Sequence, residues 1–333
     1  MSVDTDRKEH DIAIDSTQVA AAAHDAAERI ASLVRETPLD YSPSYSARTG
    51  ANVYFKLENL QHTSSFKLRG AANRLMTLTP EQRAVGGVAA SSGNHGAAVA
   101  YAMQKLGVPG MIFVPEQTTA TKVDAIRAYG GDVRFFGTDG LDTELHARGY
   151  AEENGMAYLS PYNDQEVVAG QGTCGVEIAG QLPDVDAVFV AVGGGGLIGG
   201  VGSVLKEHRA DIEIVGCQPA NSPVMARSIE AGEIVDMPSE PTLSDGTAGG
   251  IEAGAITFDL CRAVTNRFVV VDEAGIAASM RTYMDAEHQL IEGAAGVAIA
   301  AFERLAGEFA GKNVVILVCG GNISREMLKT VIC

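Results

Sequence analysis

The chain has 333 residues with a formal net charge of −17, and 46% of them are hydrophobic and 20% charged. That length suits one large domain or two lobes around a substantial core, in a soluble globular protein. No apolar run approaches the roughly 18–20 residues that span a bilayer, and the acidic balance argues against nucleic acid or an anionic membrane as partner, since both call for a basic face.

The opening Met1-Ser2-Val3-Asp4-Thr5-Asp6-Arg7-Lys8-Glu9-His10-Asp11 is polar and lacks the apolar segment of a secretion signal, so 1–15 reads as a disordered lead-in. Ser16 and Thr17 offer an N-cap to an alanine-rich helix reaching Val34, which Thr37-Pro38-Leu39 ends. A strand follows over 53–57 and a helix over 66–78, closed by Pro80. From there strands and helices alternate. Strands are expected over 87–90, 111–114, 133–136 and 157–159, and helices over 93–107, 118–129, 141–154 and 166–181. The series continues with strands over 187–192 and 213–217 around a helix over 197–208. Last come strands over 268–271 and 314–318 around two long helical stretches. This alternation is that of α/β units with parallel sheets flanked by helices. A break near Ser160-Pro161-Tyr162 gives a small domain over 80–160 and a large one from 16–79 and 161–333. Residues 236–255 form a long Gly-, Pro-, Ser- and Thr-rich connection of the kind that often carries function.

The five cysteines, Cys174, Cys217, Cys261, Cys319 and Cys333, are odd in number and widely spaced, with no Cys-x-x-Cys pair. Neither a disulfide framework nor a zinc site is expected, and the reducing cytoplasm is the simplest compartment.

Gly193-Gly194-Gly195-Gly196 sits between an apolar strand and a helix, and Leu197 follows it. Glycine allows close backbone approach, and a helix N-terminus adds free N–H groups, so the run suits a phosphate. The other reading is a tight strand-to-helix turn. No Gly-Lys-Ser/Thr follows, which excludes a Walker loop. The next strand ends in Gln218-Pro219 rather than the acidic residue of a dinucleotide fingerprint.

Lys67 alone would be a solvated charge on a helix. Two further segments change its meaning. Ser91-Ser92-Gly93-Asn94-His95-Gly96 joins a strand to a helix in the manner of a carboxylate site, and Val318-Cys319-Gly320-Gly321-Asn322 ends the last strand similarly. Together with Ser65-Phe66-Lys67-Leu68-Arg69-Gly70-Ala71 and the tetraglycine, these segments resemble the serine/threonine dehydratase family. Val168-Ala169-Gly170-Gln171-Gly172-Thr173 and Ile291-Glu292-Gly293-Ala294-Ala295-Gly296-Val297 are similar to family segments too, so the resemblance runs in order from about residue 35 to the end.

The resemblance implies the two-lobed fold type II (tryptophan synthase β-like) architecture, pyridoxal 5′-phosphate (PLP) as cofactor, and a homodimer. It implies that Lys67 is the Schiff-base lysine and the base at Cα, that Phe66 packs on the pyridine face and that Asn94 bonds the ring hydroxyl. Gly193, Gly194, Gly195, Gly196 and Leu197 would hold the phosphate. Ser91, Ser92, Gly93, Asn94 and His95 would form the substrate-binding loop, with Ser92 at the position that family racemases use for proton transfer. Gly246 would lie beside the ring, Glu292 near its hydroxyl edge, and Cys319 opposite the pyridine nitrogen, where a weak thiol donor would leave that nitrogen unprotonated.

Some family members hold a divalent cation with acidic residues after the strand over 213–217. Here Gln218-Pro219-Ala220-Asn221-Ser222-Pro223 lacks them, so no metal is expected. Ser160-Pro161-Tyr162-Asn163-Asp164 and Ser244-Asp245-Gly246-Thr247 also depart from the common family form, which leaves the substrate side chain open. The chain ends at Cys333, just after the last expected strand, so the C-terminal regulatory domain of biosynthetic family members is not expected.

The resemblance points first to an ammonia-lyase that dehydrates a β-hydroxy amino acid such as threonine or serine. The alternatives are a dehydratase of another hydroxy amino acid (hydroxyectoine-derived or 3-hydroxyaspartate), a serine or amino-acid racemase, a β-replacement synthase, a PLP-binding protein without turnover, and a nicotinamide dehydrogenase.

Overall fold

The computed structural model describes residues 15–333; the lead-in expected over 1–15 lies, but for Asp15, outside the described residues. Ten strands are described: β1 Leu39–Tyr41, β2 Asn52–Leu57, β3 Gly87–Ala90, β4 Gly110–Val114, β5 Asp132–Phe135, β6 Ala157–Tyr158, β7 Ala187–Ala191, β8 Glu213–Pro219, β9 Arg267–Val271 and β10 Asn313–Val318. They form a six-stranded sheet ordered β1-β2-β10-β7-β8-β9 and a four-stranded sheet ordered β5-β4-β3-β6. Only β1 runs antiparallel to its neighbour. The register is set by apolar residues buried on both faces, with Val314 opposite Val53 and Ala187, and Val188 opposite Ile214.

The expected alternation is present with shifted ends. The first helix is Ser16–Ile30, and its cap is Asp15, whose carboxylate accepts from Thr17 N at 3.0 Å, rather than Ser16 or Thr17. The helix over 66–78 is shorter, Lys67–Met76, and Pro80 does not merely close it. With its fixed φ and missing N–H, Pro80 opens a second helix, Pro80–Val85, behind a Thr79/Gln82 capping box. β8 runs past Cys217 to Pro219, where the missing N–H faces the side on which β7 has already ended. Sequence reasoning did not pick out β1 or the short helices Pro43–Thr49, Val224–Ala231, Ile256–Val264 and Arg325–Ile332.

Helix Lys67–Met76 packs against Asn94–Leu106, which belongs with the four-stranded sheet, and against Gln165–Gln181, which flanks the six-stranded one. The approach to Gln165–Gln181 is close enough to demand glycine, since a Cβ on Gly170 would lie 2.6 Å from Arg69 O. Polar contacts then lock the pair. Arg74 Nε donates to Asp164 Oδ2 at 2.7 Å, and Asn73 Nδ2 donates to Glu166 O at 2.7 Å.

Arg69 is fully buried and grips two carboxylates. It donates to Glu58 at 2.7 and 2.8 Å and to Glu177 at 2.6 and 2.9 Å. Lys56 Nζ completes the cluster by donating to Glu177 Oε2 at 2.5 Å and Thr37 O at 2.7 Å. Burial alone would raise the Glu58 pKa, but the Arg69 guanidinium, the Thr37 hydroxyl and Lys56 together outweigh it and hold the carboxyl below its ordinary range. Breaking such a cluster on one side strands a buried charge. An Arg69→Met chain is therefore expected to lose about 3–5 kcal/mol of unfolding free energy in urea. Adding Glu58→Gln should restore part of it. A loss below about 1 kcal/mol would mean that the cluster behaves like a surface pair.

Candidate active site

In open parallel sheets, ligands bind beyond the carboxyl ends of the strands. Here the loops after β2, β3, β6, β7 and β10 carry, in turn, Lys67, the asparagine loop, Pro161, the tetraglycine and Cys319. They converge on one cavity of about 640 Å³. Each sequence-predicted site residue lines it: Phe66, Lys67, Ser91, Ser92, Gly93, Asn94, His95, Gly193, Gly194, Gly195, Gly196, Leu197, Gly246, Glu292 and Cys319.

Lys67 opens its helix from a loop that is tied to β10. Ser65 bridges to Gly320, Phe66 N donates to Cys319 O at 3.1 Å, and Gly321 N donates to Ser64 O at 2.9 Å. Ser64 takes φ +55°, a left-handed conformation unusual for a residue with a Cβ and tolerated where the surroundings enforce it. The amine of Lys67 donates to Pro161 O at 2.8 Å and sits 5.2 Å from the Phe66 ring centroid. Burial lowers its pKa to about 8, against the weaker opposing pull of Cys319 and Glu292.

Glu292 is the hub of the opposite wall. Asn94 Nδ2 donates to both of its oxygens, at 3.0 and 2.9 Å, and Asn322 N donates to Oε2 at 3.3 Å. Cys319 Sγ reaches Oε1 at 3.7 Å, and Asn322 Nδ2 returns to Asn94 Oδ1 at 2.7 Å. Burial pushes the Glu292 carboxyl up to about 7 despite these donors. Burial and then Glu292 hold the Cys319 thiol well above its ordinary range, so it stays protonated. Gly246 lies beside this hub, since a Cβ there would approach Glu292 Oε1 to 3.9 Å.

His95 plays a narrower part than its place in the loop implies. Its Nε2 lies 2.7 Å from Leu159 O, which can only accept, so Nε2 carries the proton. Burial, followed by the nearby Lys67, lowers the ring pKa to about 3. The neutral ring then has only a lone pair on Nδ1, and a carboxylate would have to be met by backbone N–H groups instead. Gly93 N is turned toward Ser91 Oγ at 3.2 Å.

Sequence reasoning assigned no role to Asn322, whose bonds join the asparagine loop to the end of β10, or to the Pro161 carbonyl that holds the lysine amine. Asn322 stands in the quoted Cys319-Gly320-Gly321-Asn322 motif, so a signal existed; the carbonyl carried none. Gln218 also gains a clear place. Its amide donates to Val192 O at 3.0 Å and its oxygen accepts from Ala226 N at 2.7 Å, so both ends are committed within the protein.

The donor set fits a phosphorylated aldehyde: a buried amine of lowered pKa, a backbone anion loop, and a cavity within the size range of cofactor sites. Fold and site together define a fold type II PLP enzyme. Residues 30–320 match the family described as pyridoxal-phosphate dependent enzyme, and the chain belongs to that family. It is 38% identical over 309 residues to an L-threonine ammonia-lyase of Geobacter sulfurreducens, covering 92% of this chain and 76% of that one. Its fold superposes with a TM-score of 0.91 on the processed form of threonine deaminase isoform 2 from Solanum lycopersicum, at 34% identity, covering 96% and 94% of the two chains. Maize serine racemase follows at a TM-score of 0.87 and 32% identity, covering 93% and 95%.

The raised Glu292 pKa has a stability consequence. The folded apoprotein holds a proton that the unfolded chain releases near 4.5, so this group's stabilising contribution is complete below 4.5 and is lost as pH rises through about 7. Between pH 4.5 and 8 the wild-type apoprotein is expected to lose, relative to Glu292→Gln, on the order of 3 kcal/mol in chemical denaturation. His95, shifted in the opposite direction, is common to both proteins and drops out of the difference. Parallel pH profiles of the two proteins would contradict the assignment.

Proposed function

We propose that the chain is an ammonia-lyase (dehydratase) that removes water from a β-hydroxy amino acid such as threonine or serine, giving a 2-oxo acid and ammonia. The observation that carries this is the Lys67 amine, held by Pro161 O and brought to a pKa of about 8 in the cavity where the glycine loop and the asparagine loop meet. The names of the ammonia-lyase and deaminase relatives support the same reading.

PLP, when bound through Lys67, supplies the electron sink that makes the substrate Cα–H acidic. The residues of this chain do the rest. Gly193 to Gly196 and Leu197 would present backbone N–H groups to the PLP phosphate. Phe66 would pack against the ring face, Asn94 would meet the ring hydroxyl, and Gly246 would leave space beside the ring. Glu292 stands behind Asn94, and the protonated Cys319 thiol offers the ring nitrogen at most a weak hydrogen bond. Ser91, Ser92, Gly93, Asn94 and the backbone of His95 hold the substrate carboxylate. The neutral Lys67 amine takes the Cα proton, and the β-hydroxyl departs as water after receiving a proton. The released enamine then takes up water and yields the 2-oxo acid and ammonia, which balances the reaction.

The two sheets support a division into a small domain over 80–160 and a large one from 16–79 and 161–333. We place the enzyme in the cytoplasm as a homodimer. Reduced cysteines support the compartment, because Cys174, Cys217, Cys261, Cys319 and Cys333 are all free. No described helix is long and apolar enough to cross a membrane.

A panel of β-hydroxy amino acids, including threonine, serine and 3-hydroxyaspartate, tests the activity by release of 2-oxo acid and ammonia. Wild type is expected to turn over at least one of them, and Lys67→Ala to lose both turnover and the visible absorbance of lysine-bound cofactor. A colourless wild-type protein that cannot be loaded with PLP would end the proposal. Racemisation is the second reading, favoured by the placement of Ser92 on the cavity wall and by the likeness to maize serine racemase. Chiral analysis of serine after incubation separates it from elimination. Light scattering on the holoenzyme is expected to give twice the 34.7 kDa chain mass; a monomer would refute the dimer.

A further inference from the structure

Glycine has no side chain with which to fix the direction of its own peptide groups, so a four-glycine loop takes its orientation from its neighbours. Two carbonyls of this loop are held from outside the cavity. Thr257 Oγ1 donates to Gly194 O at 2.6 Å, and Cys261 Sγ donates to Gly195 O at 3.6 Å. Both residues are fully buried and stand four apart on helix Ile256–Val264, hence on one face of it. The loop is pressed onto that face. Gly195 has φ +86°, and a Cβ there would lie 2.6 Å from Cys261 Sγ and 3.2 Å from Thr257 Cβ.

In a trans peptide the C=O and the following N–H point in opposite directions. Tying Gly194 O to Thr257 therefore aims Gly195 N–H the other way, and tying Gly195 O to Cys261 does the same for Gly196 N–H. Among the described residues, the N–H groups of Gly194, Gly195 and Gly196 find no protein acceptor. Gly196 also begins helix Gly196–His208, whose first N–H groups are free by construction. Gly195 O additionally accepts Gly199 N at 2.9 Å, so Thr257, the side chain on Gly194 O, carries the greater share of the orientation. Burial raises the Cys261 thiol to about 12, so it keeps its donor proton.

We propose that Thr257, assisted by Cys261 one turn later, is the positioning residue that aligns the N–H groups of the tetraglycine loop on the cofactor phosphate. This rests on the reading of that loop as the phosphate site. Neither residue lines the cavity, so the effect should appear in binding of the phosphate and not in binding of the rest of the cofactor. The test titrates apoproteins of wild type, Thr257→Val and Thr257→Ser with PLP and with pyridoxal, which lacks the phosphate. Absorbance of the lysine-bound form gives affinity, and thermal melts of the apoproteins report stability.

Thr257→Val, nearly the same shape without the donor, is expected to weaken PLP about tenfold while pyridoxal stays within about twofold. Thr257→Ser, which keeps the hydroxyl, should match wild type. If Thr257→Val retains the wild-type preference for PLP over pyridoxal, the proposal fails; equal weakening of both ligands also defeats it, since that marks a merely structural role. Should Thr257→Val not fold, Cys261→Ala read in the same way decides, a reduced preference for PLP supporting the proposal and an unchanged one overturning it. A wild-type protein without preference for PLP over pyridoxal would overturn the phosphate reading of the loop itself, a failure distinguishable from that of the positioning role.

Discussion

The site depends on the docking of helix Lys67–Met76 onto helix Gln165–Gln181, and the buried centre of that docking is the Arg69 guanidinium, with Asn73 and Arg74 holding the more exposed end. An apolar interface alone would let two helices slide or turn at little cost. The planar Arg69 fork, engaged by Glu58 on one side and Glu177 on the other, sets position and rotation together. Buried ion pairs are poor sources of stability but useful sources of uniqueness. Because Arg69 lies two residues from Lys67, the uniqueness is passed on to the reactive amine. The other end of that connection is equally constrained, since Ser65 and Phe66 pair with the backbone at Gly320 and Cys319. Lysine and thiol are thus parts of one rigid piece.

The electrostatics of the cavity are local rather than inherited from the molecule. A chain of net charge −17 is a poor place to attract an anion. The charged side chains lining the cavity are Lys67, Lys122, Asp245 and Glu292, and Lys122 is spent on Asp245 at 3.7 Å. Among the described residues no arginine lines the cavity and Lys122 faces Asp245, so the donors that the glycine loop itself offers a phosphate are its backbone N–H groups. Backbone donors are directional where a lysine is not, and their use explains why the loop is walled so closely. Tyr162 packs on Gly194, Thr247 on Gly193, and Cys261 on Gly195, leaving a Cβ no room at Gly194 or Gly195 and only a tight fit at Gly193.

Much of this was legible in the sequence, for identifiable reasons. Continuous apolar strands such as β7 and β10 declare themselves because both faces are buried, and the tetraglycine and Lys67 are visible because their residue types are unusual for their setting. The cap at Asp15 was missed because Ser16 and Thr17 are equally good cap formers and local chemistry cannot choose between adjacent candidates. Pro80 was read as a stop because a helix start depends on the capping box behind it. The Arg69 cluster and the ties from Thr257 and Cys261 were hidden for another reason. Arg69 and Glu177 are 108 positions apart and Thr257 and Gly194 are 63 apart, and a buried arginine or threonine has the same letter as an exposed one.

The two titrating groups of the cavity show why its depth matters as much as its chemistry. Desolvation is the largest influence on both, lowering the Lys67 amine to about 8 and raising the Glu292 carboxyl to about 7. Their mutual attraction works the other way, since each charged partner favours the charge of the other. Burial does not abolish the charges: with the amine near 8 and the carboxyl near 7, the protonated amine still predominates at neutrality, but its uncharged form is a far larger fraction than for an exposed lysine. An uncharged amine is the form that can attack an aldehyde and accept a proton from carbon. At the ordinary lysine value of 10.5 almost no uncharged amine would be present near neutrality, and Lys67 would be well placed and chemically idle. The downward shift therefore rests on excluding water, and the same packing that positions the lysine also sets how readily it gives up its proton.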